Sequence, residues 1–182
     1  MTPSASRPYF ATVARGLEPI AARELQGLGA SDIAEDYMGV HFSGDRELLY
    51  RANLWMRTSF RILQPLREFG CNDVRELYDN VKAIAWEDVL SPDKTLAVRA
   101  TGGNEALNHT HFTALKVKEG IVDRQWKQFG TRSSVDRDRP DVAVNLHVHR
   151  DRAVLSLDSS GDSLHRRGYR PAIGAAPLKE TL

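Results

Sequence analysis

Residues 141–158, DVAVNLHVHRDRAVLSLD, contain the clearest structural pattern of the chain. Apolar and polar residues alternate over 141–149, which is typical of a strand with one buried face. AVLSLD (153–158) forms a second apolar run, and the charged residues between the two runs predict a hairpin turn. The stretch therefore predicts an antiparallel hairpin whose inward residues are Val142, Val144, Leu146 and Val148.

The residues before this hairpin predict two helices and a strand. They are a helix over 72–90 capped by Asn72 or Asp73, a strand over 94–104 that runs into a Gly-Gly turn, and a helix over 109–130. On a helical wheel, the last helix has an apolar face of Phe112, Leu115, Val122, Trp126 and Phe129. Lys116, Gly120, Arg124 and Lys127 fall on the opposite side. We expect these elements and the hairpin to form an α/β domain over 71–160.

The first 70 residues predict a separate, smaller domain. A strand over 9–18 ends at Arg-Gly, and a helix begins at Pro19. A strand over 32–44, interrupted at Gly39, precedes a helix capped by Asp45, and a final strand covers 59–70. This β-α-β-α-β order predicts a ferredoxin-like α+β domain with two layers over 1–70.

Residues 161–182 read as a linker that leads into another element. Pro177 suits the first turn of a helix, and good helix formers follow it up to Leu182. The sequence stops within about one helical turn, well short of the ~12 residues that a marginal isolated helix needs. We expect a further domain to follow, so that this chain is an accessory module separated from its catalytic part.

Composition limits the function classes. The net charge is only +1, which argues against a uniformly basic nucleic-acid binder, although a local basic face remains possible. One cysteine excludes an intramolecular disulfide and a cysteine-based zinc site, and favours a cytoplasmic location. No apolar run approaches the ~20 residues of a membrane span, so we expect no membrane partner.

Known catalytic and cofactor motifs are missing from the sequence. It contains no GxGxxG, GxxxxGK[ST] or HExxH motif, and no Asn/Asp-Pro-Pro-aromatic tetrapeptide. His147 and His149 share one strand face, but no third metal ligand has an obvious position, so an exposed strand face is the better interpretation. We therefore predict no catalytic residue, cofactor site or metal site in this chain.

The basic residues are the better candidates for a functional site. Arg99, the Gly102-Gly103 turn and the following cationic helix face could follow a phosphate backbone. The alternative is a solvated face, because Asp123, Asp136 and Asp138 lie among the cations. Residues 165–170 (HRRGYR) could contact phosphate or serve as a latch for another domain. The candidate RNA-binding residues are Arg99, Lys116, Arg124, Lys127, Arg132, Arg137, Arg139, Arg166, Arg167 and Arg170.

Several of these segments resemble a known family. YFATVARGLEPIAARELQGLGA (9–30), GVHFSG (39–44) and LYRANLWMRTSFRIL (49–63) are similar to the N-terminal region of bacterial large-subunit (23S) ribosomal RNA guanine-N2 methyltransferases. Residues 116–170, and SLDSSGDSLHRRGYR (156–170) in particular, resemble the THUMP domain and exit linker of that family. The resemblance implies a ferredoxin-like domain, a THUMP domain and a linker.

The resemblance also implies a function. The chain would capture structured RNA, with 23S rRNA as the expected partner, by the shape of its phosphates and 2′-hydroxyls. An S-adenosylmethionine-dependent methyltransferase domain, absent here, would carry out rRNA methylation, so this chain alone would not be an enzyme. Two alternatives stay open: an interdomain docking scaffold, or the RNA-capture part of a tRNA methyltransferase or thiolase.

Overall fold

The computed structural model describes residues 5–164 of the protein. These residues form two compact units, the first made of 5–64 and 159–164, the second of 65–158. Within the described residues, no helix has both the length and the apolar character needed to cross a membrane. Each unit is built around its own hydrophobic core.

The first unit has a β-α-β-β-α-β order. Its elements are β1 (Arg7–Val13), α1 (Glu18–Leu28), β2 (Ser31–Asp36), β3 (Gly39–Gly44), α2 (Arg46–Trp55) and the first half of β4 (Ser59–Gly70). The strands lie in the order β2-β3-β1-β4, and all neighbours are antiparallel. This is the ferredoxin-like arrangement that the sequence predicted, with one more strand.

The additional strand corrects the prediction of a single strand over 32–44. The chain reverses at Tyr37 and Met38, and Met38 has a φ of 56°. Its N–H donates to Glu18 Oε1 (3.1 Å), and its carbonyl accepts from the Val13 N–H (2.9 Å). Gly39, interpreted as an interruption, is the first residue of β3. A turn with an apolar residue in the left-handed region lacks the Asn-Gly or Asp-Gly signal that marks a hairpin in sequence.

The second unit holds two helices and four strand segments. Its elements are the second half of β4, α3 (Val74–Lys82), a short 3-10 helix (Trp86–Asp88), β5 (Leu96–Gly103), α4 (Thr110–Phe129), β6 (Val142–His149) and β7 (Arg152–Asp158). The strand order is β4-β7-β6-β5, with β5 parallel and β7 antiparallel to β6. The predicted β6–β7 hairpin is confirmed, and Val144, Leu146 and Val148 lie in the core.

The predicted helix over 72–90 ends earlier than expected. Of the two predicted caps, Asn72 and Asp73, it is Asp73 that caps α3, since its side chain accepts from the Glu76 N–H at 2.7 Å. The helix stops at Lys82 because Trp86 folds back into the core. Its side chain is fully buried, and the indole N–H donates to the Val81 carbonyl at 2.8 Å.

Candidate nucleic-acid interface

The predicted cations of the second unit centre on α4. His109 caps the helix start by accepting from the Phe112 N–H at 3.2 Å. Gly130 ends it with a φ of 67°, and its N–H donates to the Trp126 carbonyl at 2.9 Å. The helix spans the predicted range to within one residue at each end.

The predicted inward face of α4 is wrong for four of its five residues. Phe112, Leu115, Trp126 and Phe129 are 41%, 38%, 60% and 45% exposed. The buried residues are instead Thr113, Val117, Gly120, Ile121, Val122 and Gln125. Among the residues predicted to face inward, only Val122 does so.

A close helix–helix contact explains this difference. An added Cβ at Gly120 would lie 2.9 Å from Val81 Cγ1 and 3.3 Å from the Tyr78 carbonyl oxygen, so α4 meets α3 at its glycine. Gln125 is fully buried but satisfied: its amide donates to the Leu90 carbonyl and the Ser133 hydroxyl and accepts from the Ser133 N–H, each at 3.0 Å. A helical wheel that considers only large apolar residues does not identify a buried face that includes glycine, threonine and glutamine.

Two of the three candidate cations predicted on α4, Lys116, Arg124 and Lys127, have carboxylate partners. The Arg124 guanidinium lies 2.6 Å and 3.3 Å from the two Glu87 carboxylate oxygens. This contact holds the pKa of Glu87 below its ordinary value and raises the pKa of Arg124. Lys116 lies 2.7 Å from Glu119 Oε2. Lys127 is exposed and has no ion-pair partner within residues 5–164. The trio therefore does not form three equivalent free charges.

The segment 131–140 holds three more of the predicted cations. Arg132, Arg137 and Arg139 are exposed, and none pairs with a carboxylate in the part of the chain that the structure describes. The backbone of the segment runs along β5: the Leu96 N–H donates to the Ser134 carbonyl (2.9 Å), and its carbonyl accepts from the Asp136 N–H (3.1 Å). These contacts place the arginines on an ordered segment next to the end of α4.

Asp136 helps to shape this segment. Its carboxylate accepts from the N–H groups of Arg139 and Asp138, both at 2.9 Å. These hydrogen bonds hold its pKa below the ordinary value. The carboxylate thus organises the turn that presents Arg137 and Arg139, although it also adds negative charge, as the solvated-face alternative stated.

Arg99 lies on a different surface. It is exposed on β5, opposite Asn145 of β6 in the strand register. Val98 and Ala100 pack on the core, so by strand alternation Arg99 faces away from α4. Gly102 is part of β5, not of a turn; its φ is 70°, and an added Cβ would collide with the Val148 carbonyl. The strand, glycine pair and helix face thus do not form one continuous tract.

The remaining candidates are the histidines considered as metal ligands and the arginines of residues 165–170. His147 Nδ1 lies 3.0 Å from the Thr101 hydroxyl, and burial, with His149 nearby, lowers the pKa of His147. Residues 5–164 contain no group of three or more His, Cys, Asp or Glu side chains placed to hold a metal ion. Arg166, Arg167 and Arg170 lie outside the described residues.

Sequence reasoning missed the exposed aromatic residues beside the free cations. Trp126 and Phe129 lie on the last turn of α4, next to Lys127 and Arg132. The sequence does contain a signal for the correct orientation of α4. Val117, Gly120 and Ile121 are spaced three and four residues apart, and they mark the buried face if glycine is counted among the residues that contact another helix.

Family models match most of the chain. Residues 71–158 match the THUMP domain, and residues 8–63 match the RlmL ferredoxin-like domain. The THUMP match covers most of the second structural unit, and the ferredoxin-like match covers most of the first.

Curated relatives and solved structures agree with these matches. A putative RNA methyltransferase of Synechocystis is 55% identical over 97% of this chain and 46% of its own length. A ribosomal RNA large subunit methyltransferase K/L of Syntrophotalea carbinolica is 48% identical over 96% of this chain and 24% of its own length. A crystal structure of a putative methyltransferase complexed with SAH matches all of this chain and 47% of its own, with a TM-score of 0.81 at 29% identity.

The chain thus spans between a quarter and a half of the length of these relatives. Both domains occur in the order that the sequence resemblance implied, and the same two-domain stretch aligns with methyltransferases. The chain therefore contains an RlmL-type ferredoxin-like domain followed by a THUMP domain.

Proposed function

We propose that this chain is the RNA-binding part of an S-adenosylmethionine-dependent rRNA guanine-N2 methyltransferase. It captures structured 23S rRNA in the cytoplasm for a catalytic methyltransferase domain in the rest of the protein. The THUMP domain and the rRNA methyltransferase relatives support this proposal. The methylation itself is the task of that catalytic domain.

One observation carries the RNA-binding proposal. Lys127, Arg132, Arg137 and Arg139 are exposed cations that form no side-chain ion pair among residues 5–164, and they lie at the end of α4 and along the adjoining segment. Trp126 and Phe129 add exposed aromatic rings at the same end. Arginine and lysine contact phosphates, and exposed aromatic rings stack on unpaired bases. We call these four cations the basic cluster; Arg99, Lys116 and Arg124 are not part of it.

S-adenosylmethionine does not fit the groove of the first unit. The open groove between α1 and β2 is lined by Arg23, Gln26, Asp32 and Glu35, together with aliphatic residues. It offers no aromatic wall for adenine and no glycine-rich loop at a helix start. We therefore assign cofactor binding to the catalytic domain and derive no chemical step from this chain.

A competition experiment tests the proposed substrate. The chain is titrated by filter binding against 23S rRNA hairpins, tRNA and duplex DNA at fixed salt. We expect an rRNA hairpin to compete best, with duplex DNA weakest. Preferred binding of tRNA would favour the alternative of a tRNA-modifying enzyme, and equal competition by all three would contradict shape recognition of RNA.

A further inference from the structure

The outward half of α2 is not needed for the core of the first unit. Leu48, Leu49 and Ala52 are buried on its inner half. On the outer half, Tyr50 and Trp55 are 57% and 67% exposed. We define the α2 face as these two aromatic residues and the exposed residues beside them: Arg46, Glu47, Arg51, Leu54 and, directly after the helix, Arg57.

The α2 face has an excess of positive charge. Arg46, Arg51 and Arg57 form no ion pair with any residue in 5–164. Glu47 is the one carboxylate within α2. Glu24 of α1 lies near the helix end, where it accepts from the N–H groups of Arg57 and Thr58 and from the Thr58 hydroxyl. Its carboxylate is thus occupied in fixing the connection between α2 and β4.

Aromatic and arginine side chains are paired along the helix. Arg46 precedes Tyr50 by four residues, and Arg51 precedes Trp55 by four residues. Residues at this spacing lie on the same side of a helix, so an arginine and an aromatic residue share a side in each pair. The α2 face therefore mixes cationic side chains with the exposed apolar and aromatic ones.

The helix that carries these side chains is fixed at both ends. Asp45 caps it by accepting from the Leu48 N–H at 2.8 Å, which confirms the predicted cap. Near the other end, the Asn53 amide donates to the Leu49 carbonyl and to the Ser159 hydroxyl, each at 3.0 Å. Side chains on such a helix are presented in a defined arrangement.

We propose that the α2 face is a second RNA-binding surface, on the ferredoxin-like unit, that grips unpaired nucleotides. Tyr50 and Trp55 stack on bases, while Arg46, Arg51 and Arg57 contact the phosphates between them. The inference rests on the proposed function, because it takes the charge excess as complementary to RNA. The outer face of α4 differs, since Glu119 and Asp123 lie there among its aromatic residues.

Tryptophan fluorescence tests this proposal at one residue. The chain has three tryptophans, and Trp86 is fully buried, so a Trp126→Phe variant leaves Trp55 as the exposed reporter. A single-stranded fragment of rRNA is titrated in, with binding followed in parallel by anisotropy of the labelled RNA. We expect Trp55 emission to be quenched with the same midpoint as the anisotropy. Unchanged emission while the RNA is bound would overturn the proposal.

Substitutions provide the second readout. A Tyr50→Ala/Trp55→Ala variant should lose about 5- to 150-fold in affinity for each base that is no longer stacked. An R46Q/R51Q/R57Q variant should weaken binding and reduce its salt dependence, whereas the charge-matched control R7Q/R23Q/R75Q should do neither. Circular dichroism melting checks that each variant is folded. The conservative Trp55→Phe variant keeps a stacking ring and should therefore retain most of the RNA affinity.

The outcomes separate this inference from the proposed function. If the wild-type chain binds RNA and the α2 variants bind equally well, the α2 face is not an RNA surface, and a protein partner becomes its better assignment. The proposed function then stands on the basic cluster. If the wild-type chain binds none of the RNAs, both proposals are wrong.

Discussion

Gly120 determines how α4 lies against α3, because its missing side chain lets Val81 and the Tyr78 carbonyl approach the helix axis. Gly120→Ala improves helix propensity but places a methyl group 2.9 Å from Val81 Cγ1 in a packed core. We expect overpacking to dominate and the free energy of unfolding to fall by about 1–3 kcal/mol, measured by urea denaturation.

Gly27 provides the matched control for this prediction. It lies inside α1, and an added Cβ there has no neighbour within 4 Å. Gly27→Ala should therefore stabilise the chain by about 0.4–1 kcal/mol, because the substitution only restricts the unfolded chain and favours the helix. A Gly120→Ala variant as stable as Gly27→Ala would contradict the close α3–α4 contact.

Arg124 serves the fold more than the basic cluster, because its guanidinium is committed to Glu87. The pKa of Glu87 is held below its ordinary value of 4.5, chiefly by this hydrogen bond. A lowered carboxylate pKa stabilises the folded state above the ordinary value, and that contribution is lost as the pH falls through the folded value.

Arg124→Gln should therefore lower the melting temperature at neutral pH, with a difference from wild type that shrinks below about pH 4.5. RNA affinity should change little, because Arg124 is not one of the free cations. Thermal melts from pH 3 to 7 and one RNA titration measure both effects. A large loss of RNA affinity with a pH-independent stability would show that Arg124 contacts RNA directly.

At the scale of elements, Gln125 and Ser133 join the end of α4 to the segment that carries the arginines. Gln125→Leu keeps a buried side chain but leaves the Ser133 N–H and the Leu90 carbonyl without this partner. Buried unsatisfied groups cost about 1–3 kcal/mol each, so the segment should lose its fixed position. We expect faster amide exchange at Ser133 and weaker RNA binding.

Ser134→Ala is the control for this element. The Ser134 side chain is exposed, and the contact with Leu96 uses its backbone carbonyl. The substitution should leave amide exchange and RNA affinity near their wild-type values. If Gln125→Leu behaves in the same way, the arginines do not depend on the anchoring of the segment.

The elements also show what sequence could predict. Strong alternation identified β6 and β7, and side-chain caps at Asp45 and Asp73 identified two helix starts, because these signals depend on local geometry. The orientation of α4 depended on a tertiary contact through a glycine, and the β2–β3 turn depended on an unusual conformation of Met38. Neither feature has a periodic signal in the sequence.

The sequence predicted only those features of the candidate site that depend on local properties of the residues. Exposure of Lys127 and the three arginines of 131–140 follows from their charge, because unpaired Lys and Arg side chains are almost never buried. The partners of Lys116 and Arg124 could not be predicted with certainty, since the Arg124–Glu87 pair joins residues 37 positions apart. The aromatic residues of α4 were assigned to the buried face, so their exposure at the end of the helix was established by the structure.

At the scale of the whole molecule, the chain should bind RNA without binding S-adenosylmethionine. The groove between α1 and β2 lacks an aromatic wall for adenine, and the sequence contains no GxGxxG motif. Calorimetric titration of the chain with S-adenosylmethionine should show no saturable heat. One-to-one binding would contradict the assignment of the cofactor to another domain.

The central claim is that the basic cluster holds RNA by contacts with phosphates, and the salt dependence of binding tests it most directly. With three to five phosphate contacts, log K should fall with log salt by about 0.7–0.9 per contact. In R132Q/R137Q/R139Q the slope should become shallower by about 0.7–0.9 for each contact removed, and the R7Q/R23Q/R75Q control should keep the wild-type slope. A wild-type affinity that does not change with salt, or equal slopes in all three proteins, would contradict the account.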